Sequence, residues 1–339
     1  GGGLVPGQVI GEWQRTERPF DPYNGFDCNG AKSGLSFHSW KEYPSDPDKL
    51  REKEVRMWAW APQVNGTHPN SMFLQAAFSF LKVFGKKRII FSVGDSHAED
   101  QTQSLLCILA GATGGKLKML NKAPIIIRYH PDYKPVIFMR WDQINRVQGK
   151  DADQPKLLKA AMRFGPSLVL VNSGAHFSTP KCGTHAAALQ AFEELVPKFV
   201  SSMCKHRSVQ TVVWRATSNH FFGDELGVSQ RGKRCIAADR LVANPELSGV
   251  HDTNHIQRMN EVMKAHGQHT CPPGKFVYLD IANMQKQRPD ATCRTRGAGN
   301  VRGGENAADC AHMCLPGVPD WYNLKMLQDM ASREWDLEA

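Results

Sequence analysis

Two short stretches of this chain hold residue types that can carry acyl-group chemistry. The first is Arg88 to Asp100, RIIFSVGDSHAED. Arg88 to Val93 is mostly apolar and β-branched and reads as a buried strand. Gly94 breaks it, and a helical stretch runs on from His97 to about Ala110. A serine at such a turn, Ser96, projects its hydroxyl from the carboxyl end of a sheet. Its own N–H and those that follow face any oxyanion formed there. The motif is Gly-Asp-Ser rather than G-x-S-x-G, and the same residues also describe a tight turn with a helix-capping serine.

A nucleophilic serine needs a base, and the base needs an orienting group. Among 13 histidines, two lie in D-x-x-H: Asp252 with His255, and Asp309 with His312. On a helical turn the two members would share a side, so that the Asp accepts from one imidazole nitrogen and leaves the other for the serine proton. Asp252 and His255 open a helix, where an N-capping Asp is ordinary. Asp309 and His312 follow the last strand, in a Gly-rich loop flanked by Cys310 and Cys314 that can fold back over the strand ends. The second pair is therefore preferred. Zinc at Cys310, His312 and Cys314 is the competing reading, and three ligands this close in sequence wrap one tetrahedral ion poorly. No metal is expected.

These residues need a scaffold, and 339 residues with 41% hydrophobic content suffice for one large domain. Residues 1–85 are irregular and read as a loop-rich cap packed on the rest, with a first sustained helical period at Ser71 to Phe84. From 86 to 339, strands and helices alternate. Strands are expected at Arg88–Val93, Pro124–Tyr129, Pro135–Trp141, Ser167–Val171, Gln210–Trp214 and Phe276–Ile281. Helices are expected at His97–Ala110, Pro155–Phe164, His185–Lys205 and Asn254–His266. The alternation predicts an α/β fold with a mainly parallel sheet and helices on both faces, ligands binding at the carboxyl ends of the strands. Ser96, Asn172 and Arg215 stand at three such ends.

The nine cysteines, Cys28, Cys107, Cys182, Cys204, Cys235, Cys271, Cys293, Cys310 and Cys314, are widely spaced, with no C-x-x-C. That favours disulfides and an oxidising compartment. The sequon Asn65-Gly66-Thr67, a glycosylation acceptor at Asn65, agrees. No apolar run approaches a membrane span. No signal peptide is visible at Gly1-Gly2-Gly3, which reads as a trimmed start. The net charge of +9 comes from scattered Lys and Arg. It suits an acidic ligand or a solvated basic surface, and no nucleic-acid module accompanies it.

An early G-D-S with a late D-x-x-H resembles the SGNH (GDSL-type) hydrolase superfamily. More closely, the chain resembles the trichome birefringence-like polysaccharide O-acetyltransferases of the PC-esterase family. Asp309 to Asn323, DCAHMCLPGVPDWYN, is similar to that family's closing motif D-C-x-H-W-C-L-P-G-V-P-D-x-W-N. Other landmarks fall in order: Gly11-Glu12-Trp13, Trp58-Ala59-Trp60-Ala61-Pro62, Asn172-Ser173-Gly174 with His176, Arg215-Ala216-Thr217-Ser218 with His220-Phe221, and Arg288-Pro289-Asp290-Ala291. There are departures. His97-Ala98-Glu99-Asp100-Gln101 replaces the family's Leu-Ser-Arg-Asn-Gln, and Met313 replaces Trp.

The resemblance implies an SGNH-like three-layer fold with a loop-rich N-terminal minor lobe, and transfer of an acetyl group to a polysaccharide hydroxyl. Ser96 would be the nucleophile, His312 the base and Asp309 its orienting acid. Asn172 and Gly174 would serve oxyanion or donor binding, and Arg215 either a donor contact or a structural ion pair. Trp58, Trp60, Trp321 and Tyr322 could form sugar platforms or pack in the core. The resemblance further suggests a Cys28–Cys107 disulfide, and Cys310 or Cys314 joined to Cys235. It implies no resident cofactor, the acetyl donor being a co-substrate with acetyl-CoA as one candidate. It also implies a Golgi-lumenal, type II membrane-anchored protein with glycosyltransferase partners. A polysaccharide acetyl esterase would share every catalytic residue. A non-catalytic carbohydrate-binding protein would keep the fold alone.

Overall fold

The structure, a computed structural model, describes residues 12–24, 28, 53, 55–61, 68–85, 88–114, 118–122, 125–130, 133–140, 154–177, 184–217, 250–281, 284, 288, 291–294 and 308–335. At 12, 61, 118–140, 154–157, 185, 250–254, 292–294 and 308–311 only the backbone is described. Asn65 and Cys235 lie outside the described residues.

The centre is a seven-stranded sheet. In chain order its strands are β3 (Ile90–Gly94), β4 (Lys118–Lys122), β5 (Ile125–His130), β6 (Tyr133–Arg140), β7 (Leu168–Asn172), β8 (Thr211–Arg215) and β9 (Phe276–Leu279), arranged in space as β4-β5-β6-β3-β7-β8-β9. From β6 to β9 all neighbours are parallel, while β4 and β5 add an antiparallel edge. The sequence analysis located β5 and β6 but not β4. Its KMLNK run has neither alternation nor β-branched enrichment, so pairing with β5 alone makes it a strand.

Two cores cover the two faces, as the period of two requires. Ile90, Leu168, Leu170 and Val213 join one, and Phe91, Val93, Val169, Val171, Val212 and Trp214 join the other. The second face is covered by α3 (Gln154–Met162), α4 (His185–Lys205) and α5 (Val250–Thr270). The first is covered by α1 (Pro69–Phe84), α2 (Ser96–Thr113) and α6 (Val318–Ala331), with the N-terminal segment. That segment pairs β1 (Glu12–Arg15) with β2 (Trp58–Ala61), Trp13 opposite Trp60. Trp13, Phe20, Trp60, Phe73 and Trp321 then pack as one aromatic cluster, with centroid separations of 5.3 to 5.9 Å. The described N-terminal residues thus share a core with α2 and α6 and bury none of their own.

Two disulfides between described residues tie this arrangement. Cys28 is joined to Cys107 of α2, the pairing the resemblance suggests. Cys204, on the last turn of α4, is joined to Cys271 just after α5, a bridge that spacing alone could not assign. It closes a separation of 67 residues, so a Cys204→Ser, Cys271→Ser double variant is expected to lose about 2–4 kcal/mol of stability. Chemical unfolding of the two proteins under oxidising conditions measures this.

The second sheet is small and local. β10 (Thr292–Arg294) pairs antiparallel with β11 (Ala308–Met313). Asp309 and His312 therefore stand on a strand, not on the loop or helical turn expected from sequence. The strand is irregular: Thr292 pairs with Met313 and Arg294 with Ala308, so two steps on β10 face five on β11. The surplus residues bulge between those pairs, and a bulge re-aims side chains that strict alternation would fix.

Candidate active site

Gly94 ends β3 opposite Asn172 of β7. A Cβ at Gly94 would lie 2.1 Å from the Asn172 carbonyl oxygen and 2.7 Å from the Ala98 Cβ. Only glycine lets the strand end approach both β7 and the first turn of α2 this closely. Gly94→Ala should cost about 3 kcal/mol and displace the serine turn, which a thermal melt alongside a turnover assay checks.

Asp95 caps α2. Its Oδ1 accepts from the His97 N–H at 3.0 Å, and its carbonyl accepts from the Glu99 N–H at 3.1 Å. Ser96 is thus the first helical residue rather than the cap, and the competing capping reading passes to its neighbour. The Ser96 Oγ lies 2.6 Å from the Nε2 of His312, across 216 residues of chain. Both residues are half-buried. A hydroxyl at a helix N-terminus, hydrogen-bonded to an imidazole, is an arrangement able to generate an alkoxide nucleophile and to stabilise negative charge beside it.

The rival histidine is elsewhere. His255 sits on α5 with its Nε2 3.0 Å from the Phe177 carbonyl. Asp309 lies on β11 three residues before His312, and its side chain is outside the described residues. Cys314 is disulfide-bonded, which removes a thiolate the zinc reading requires. Its partner, and the side chain of Cys310, lie outside the described residues.

The neighbouring strand ends of β7 and β8 are buried. The Asn172 Nδ2 donates to the Arg215 carbonyl at 3.2 Å, tying β7 to β8. Arg215 is itself buried, 5.8 Å over the Tyr322 ring. Burial pulls its guanidinium pKa down, while the charges of Asp95, Tyr322 and Asp100 act in the opposite sense. Gly174 lies against Thr217, where a Cβ would sit 2.4 Å from the threonine side chain. Thr217 is gripped at both backbone groups by Asn260 of α5, at 2.7 and 3.1 Å.

The sugar-platform expectation needs correction. Trp60, Trp321 and Tyr322 are buried in the first core, so their faces are covered by protein. Trp58 is half-buried, with the Arg288 guanidinium 5.7 Å over its ring.

Two features escaped the sequence analysis. One is a buried network joining α2 to α6. The Asp320 carboxylate accepts from the Gly317 N–H (2.6 Å), the Tyr23 hydroxyl (2.9 Å) and the Ser104 hydroxyl (2.5 Å). Asn323 donates to the Gln101 carbonyl and to the Ser104 Oγ, both at 2.8 Å. Its signal was present in the closing motif, whose last polar residues are Asp320 and Asn323. The other is His97, whose ring stacks on that of His312. No local pattern announces it.

A serine on the strand-to-helix turn of a mainly parallel sheet between two helical layers, met by a histidine from near the C-terminus, is the arrangement that the SGNH-like resemblance implies. Residues 166–330 match the model of the PC-Esterase family, described as a GDSL/SGNH-like acyl-esterase family found in Pmr5 and Cas1p. The matched residues include Asp309 and His312, and Ser96 lies upstream of them. The chain is 23% identical over 337 residues to protein trichome birefringence-like 6 of Arabidopsis thaliana, covering 88% of this chain and 63% of that protein. It is 22% identical over 320 residues to xylan O-acetyltransferase 7 of Oryza sativa subsp. japonica, covering 80% of this chain and 52% of that protein. The chain thus spans a little over half the length of these curated relatives. A solved structure described as a peptidoglycan O-acetylesterase in action is similar at a TM-score of 0.37 and 11% identity, covering 76% of this chain and 94% of that one. Residues 166–330 are thus similar to the PC-esterase family, and the chain more widely to trichome birefringence-like proteins.

Proposed function

We propose that the protein is a polysaccharide O-acetyltransferase that works through an acetyl-enzyme at Ser96. The observation that carries this reading is the 2.6 Å contact between the Ser96 Oγ and the His312 Nε2 at the N-terminus of α2. His312 takes the serine proton as Oγ attacks the donor's acetyl carbon. It returns that proton to the leaving group as the tetrahedral intermediate collapses. A sugar hydroxyl then gives its proton to His312 and attacks the acetyl-enzyme, and Ser96 leaves as the hydroxyl. The oxyanion is held by the Ser96 N–H and by the second N–H of the Asn172 amide, whose first is spent on Arg215. Asp309 orients the imidazole in this scheme, a role that rests on the resemblance and on its place in the β11 bulge.

The acceptor class is inferred from the relative named as a xylan O-acetyltransferase. Acetyl-CoA is one candidate donor. The Cys28–Cys107 and Cys204–Cys271 bridges support a lumenal, oxidising compartment, for which the Golgi is proposed. An acetyl esterase differs only in discharging the enzyme with water. The test is to incubate the protein with an acetyl donor and a series of oligosaccharides and to follow free acetate and acetylated sugar by mass spectrometry. Acetylated sugar that increases with oligosaccharide concentration at the expense of acetate supports the transferase. Acetate alone at every concentration, across xylan-, mannan- and pectin-derived acceptors, assigns an esterase instead.

A further inference from the structure

His97 places a second imidazole directly against the first. It is the second residue of α2, its N–H is held by the Asp95 Oδ1 at 3.0 Å, and its side chain is buried. The ring centroids of His97 and His312 are 4.9 Å apart, with their planes at 23°. The Ser96 Oγ meets the edge of the His312 ring at Nε2 while His97 covers one of its faces. The pattern this chain resembles has leucine at this position, so the stacked pair is a feature of this sequence.

We infer that His97 is a positioning residue whose flat ring holds the imidazole of His312 in the plane from which Nε2 reaches Ser96. The inference rests on the reading of His312 as the base for Ser96. His312 stands on a bulged two-stranded ribbon outside the main sheet, so its backbone fixes its ring loosely. Rotation about the Cβ–Cγ bond of a histidine is broad and roughly two-fold, which leaves the ring plane to be set by contacts. Hydrogen bonds at the ring nitrogens, to Ser96 at Nε2 and to Asp309 in the proposed scheme, hold its edges and still permit tilting of its face. A parallel ring against the face removes that freedom. His97 can act as a wall because it is itself anchored: the helix fixes its backbone, Asp95 caps its turn, and burial limits its rotamers. Misplacing a reacting group by about 1 Å can cost on the order of 10²-fold in rate, so a wall on the base acts on chemistry without touching substrate.

The test uses a probe that needs neither acetyl donor nor sugar. An alkyl fluorophosphonate forms a bond from the Ser96 Oγ to phosphorus and expels fluoride, the serine proton passing to His312. The second-order labelling rate is read by intact mass for wild type, His97→Ala and His97→Phe, below the melting temperature of each. His97→Ala is expected to slow labelling about tenfold, and His97→Phe, which restores a flat ring, to stay within about threefold of wild type. Labelling of His97→Ala at the wild-type rate overturns the inference. So does a His97→Phe variant as slow as His97→Ala, because the ring face would then not be what matters. Labelling that depends on His97 in a protein that transfers no acetyl group removes the acetyltransferase reading and keeps this one. A wild type that does not label contradicts both.

Discussion

Ser96→Ala is expected to lower turnover by about 10⁴-fold or more and to leave the melting temperature within a few degrees of wild type. The hydroxyl is half-exposed, and its hydrogen bond among the described residues goes to His312, so its loss removes the nucleophile and little packing. His312→Ala should fall to a similar level. The Ser96→Ala, His312→Ala double variant should be no slower than either single one, because the two act as a unit and their losses do not add. Steady-state rates of the three variants with one donor and one acceptor decide this. Additive losses would mean that the 2.6 Å contact is not used in the reaction.

Asp320→Ala is expected to produce the largest loss of stability. It strands the Gly317 N–H and the hydroxyls of Tyr23 and Ser104, three donors in a site closed to water. Each donor left unpaired costs about 1–3 kcal/mol, and about 4 kcal/mol in all corresponds to a fall of about 10 °C in melting temperature. The loss also uncouples α6 from the helix that begins with Ser96. The pH dependence has a definite sign. Burial pushes the Asp320 pKa up from 3.8 to about 6, against its three hydrogen bonds and the Arg56 charge. A carboxyl whose folded pKa is raised binds its proton more readily in the native state. Its contribution to stability is fully present below about pH 4 and is lost as pH rises through about 6. The stability gap between wild type and Asp320→Asn should therefore widen by about 1 kcal/mol from pH 7 to pH 5. Denaturant titrations of both proteins at the two pH values measure it.

The parts of the fold that could be read from sequence are those whose physics is local. Apolar β-branched runs such as LVLV at 168–171 made strands, and the 185–205 helix fell where its amphipathic period placed it. The elbow at Gly94 was legible because a glycine, an acid and a serine end a buried strand. Pairing decisions were not legible. β4 exists by virtue of its neighbour, and β11 is a bulged strand in a Gly-rich stretch that reads as loop. The helical turn expected for Asp309 and His312 is an extended backbone instead, and what named the histidine that meets Ser96 was its position after the last strand. Tryptophans suited by chemistry to a sugar were spent on the core, because their large apolar area is most stabilising when covered. The Asp320 network and the His97–His312 stack join residues far apart in the chain, and no spacing encodes such meetings.

The central claim is that Ser96 carries the acyl group between donor and acceptor. The most direct test is intact-mass spectrometry of the protein after incubation with an acetyl donor and no sugar, for wild type and Ser96→Ala, followed by peptide mapping. The account predicts one added acetyl group on wild type, located at Ser96, none on the variant, and discharge of the adduct when oligosaccharide is supplied. An acetyl group located at another residue, or equal modification of Ser96→Ala, would contradict it.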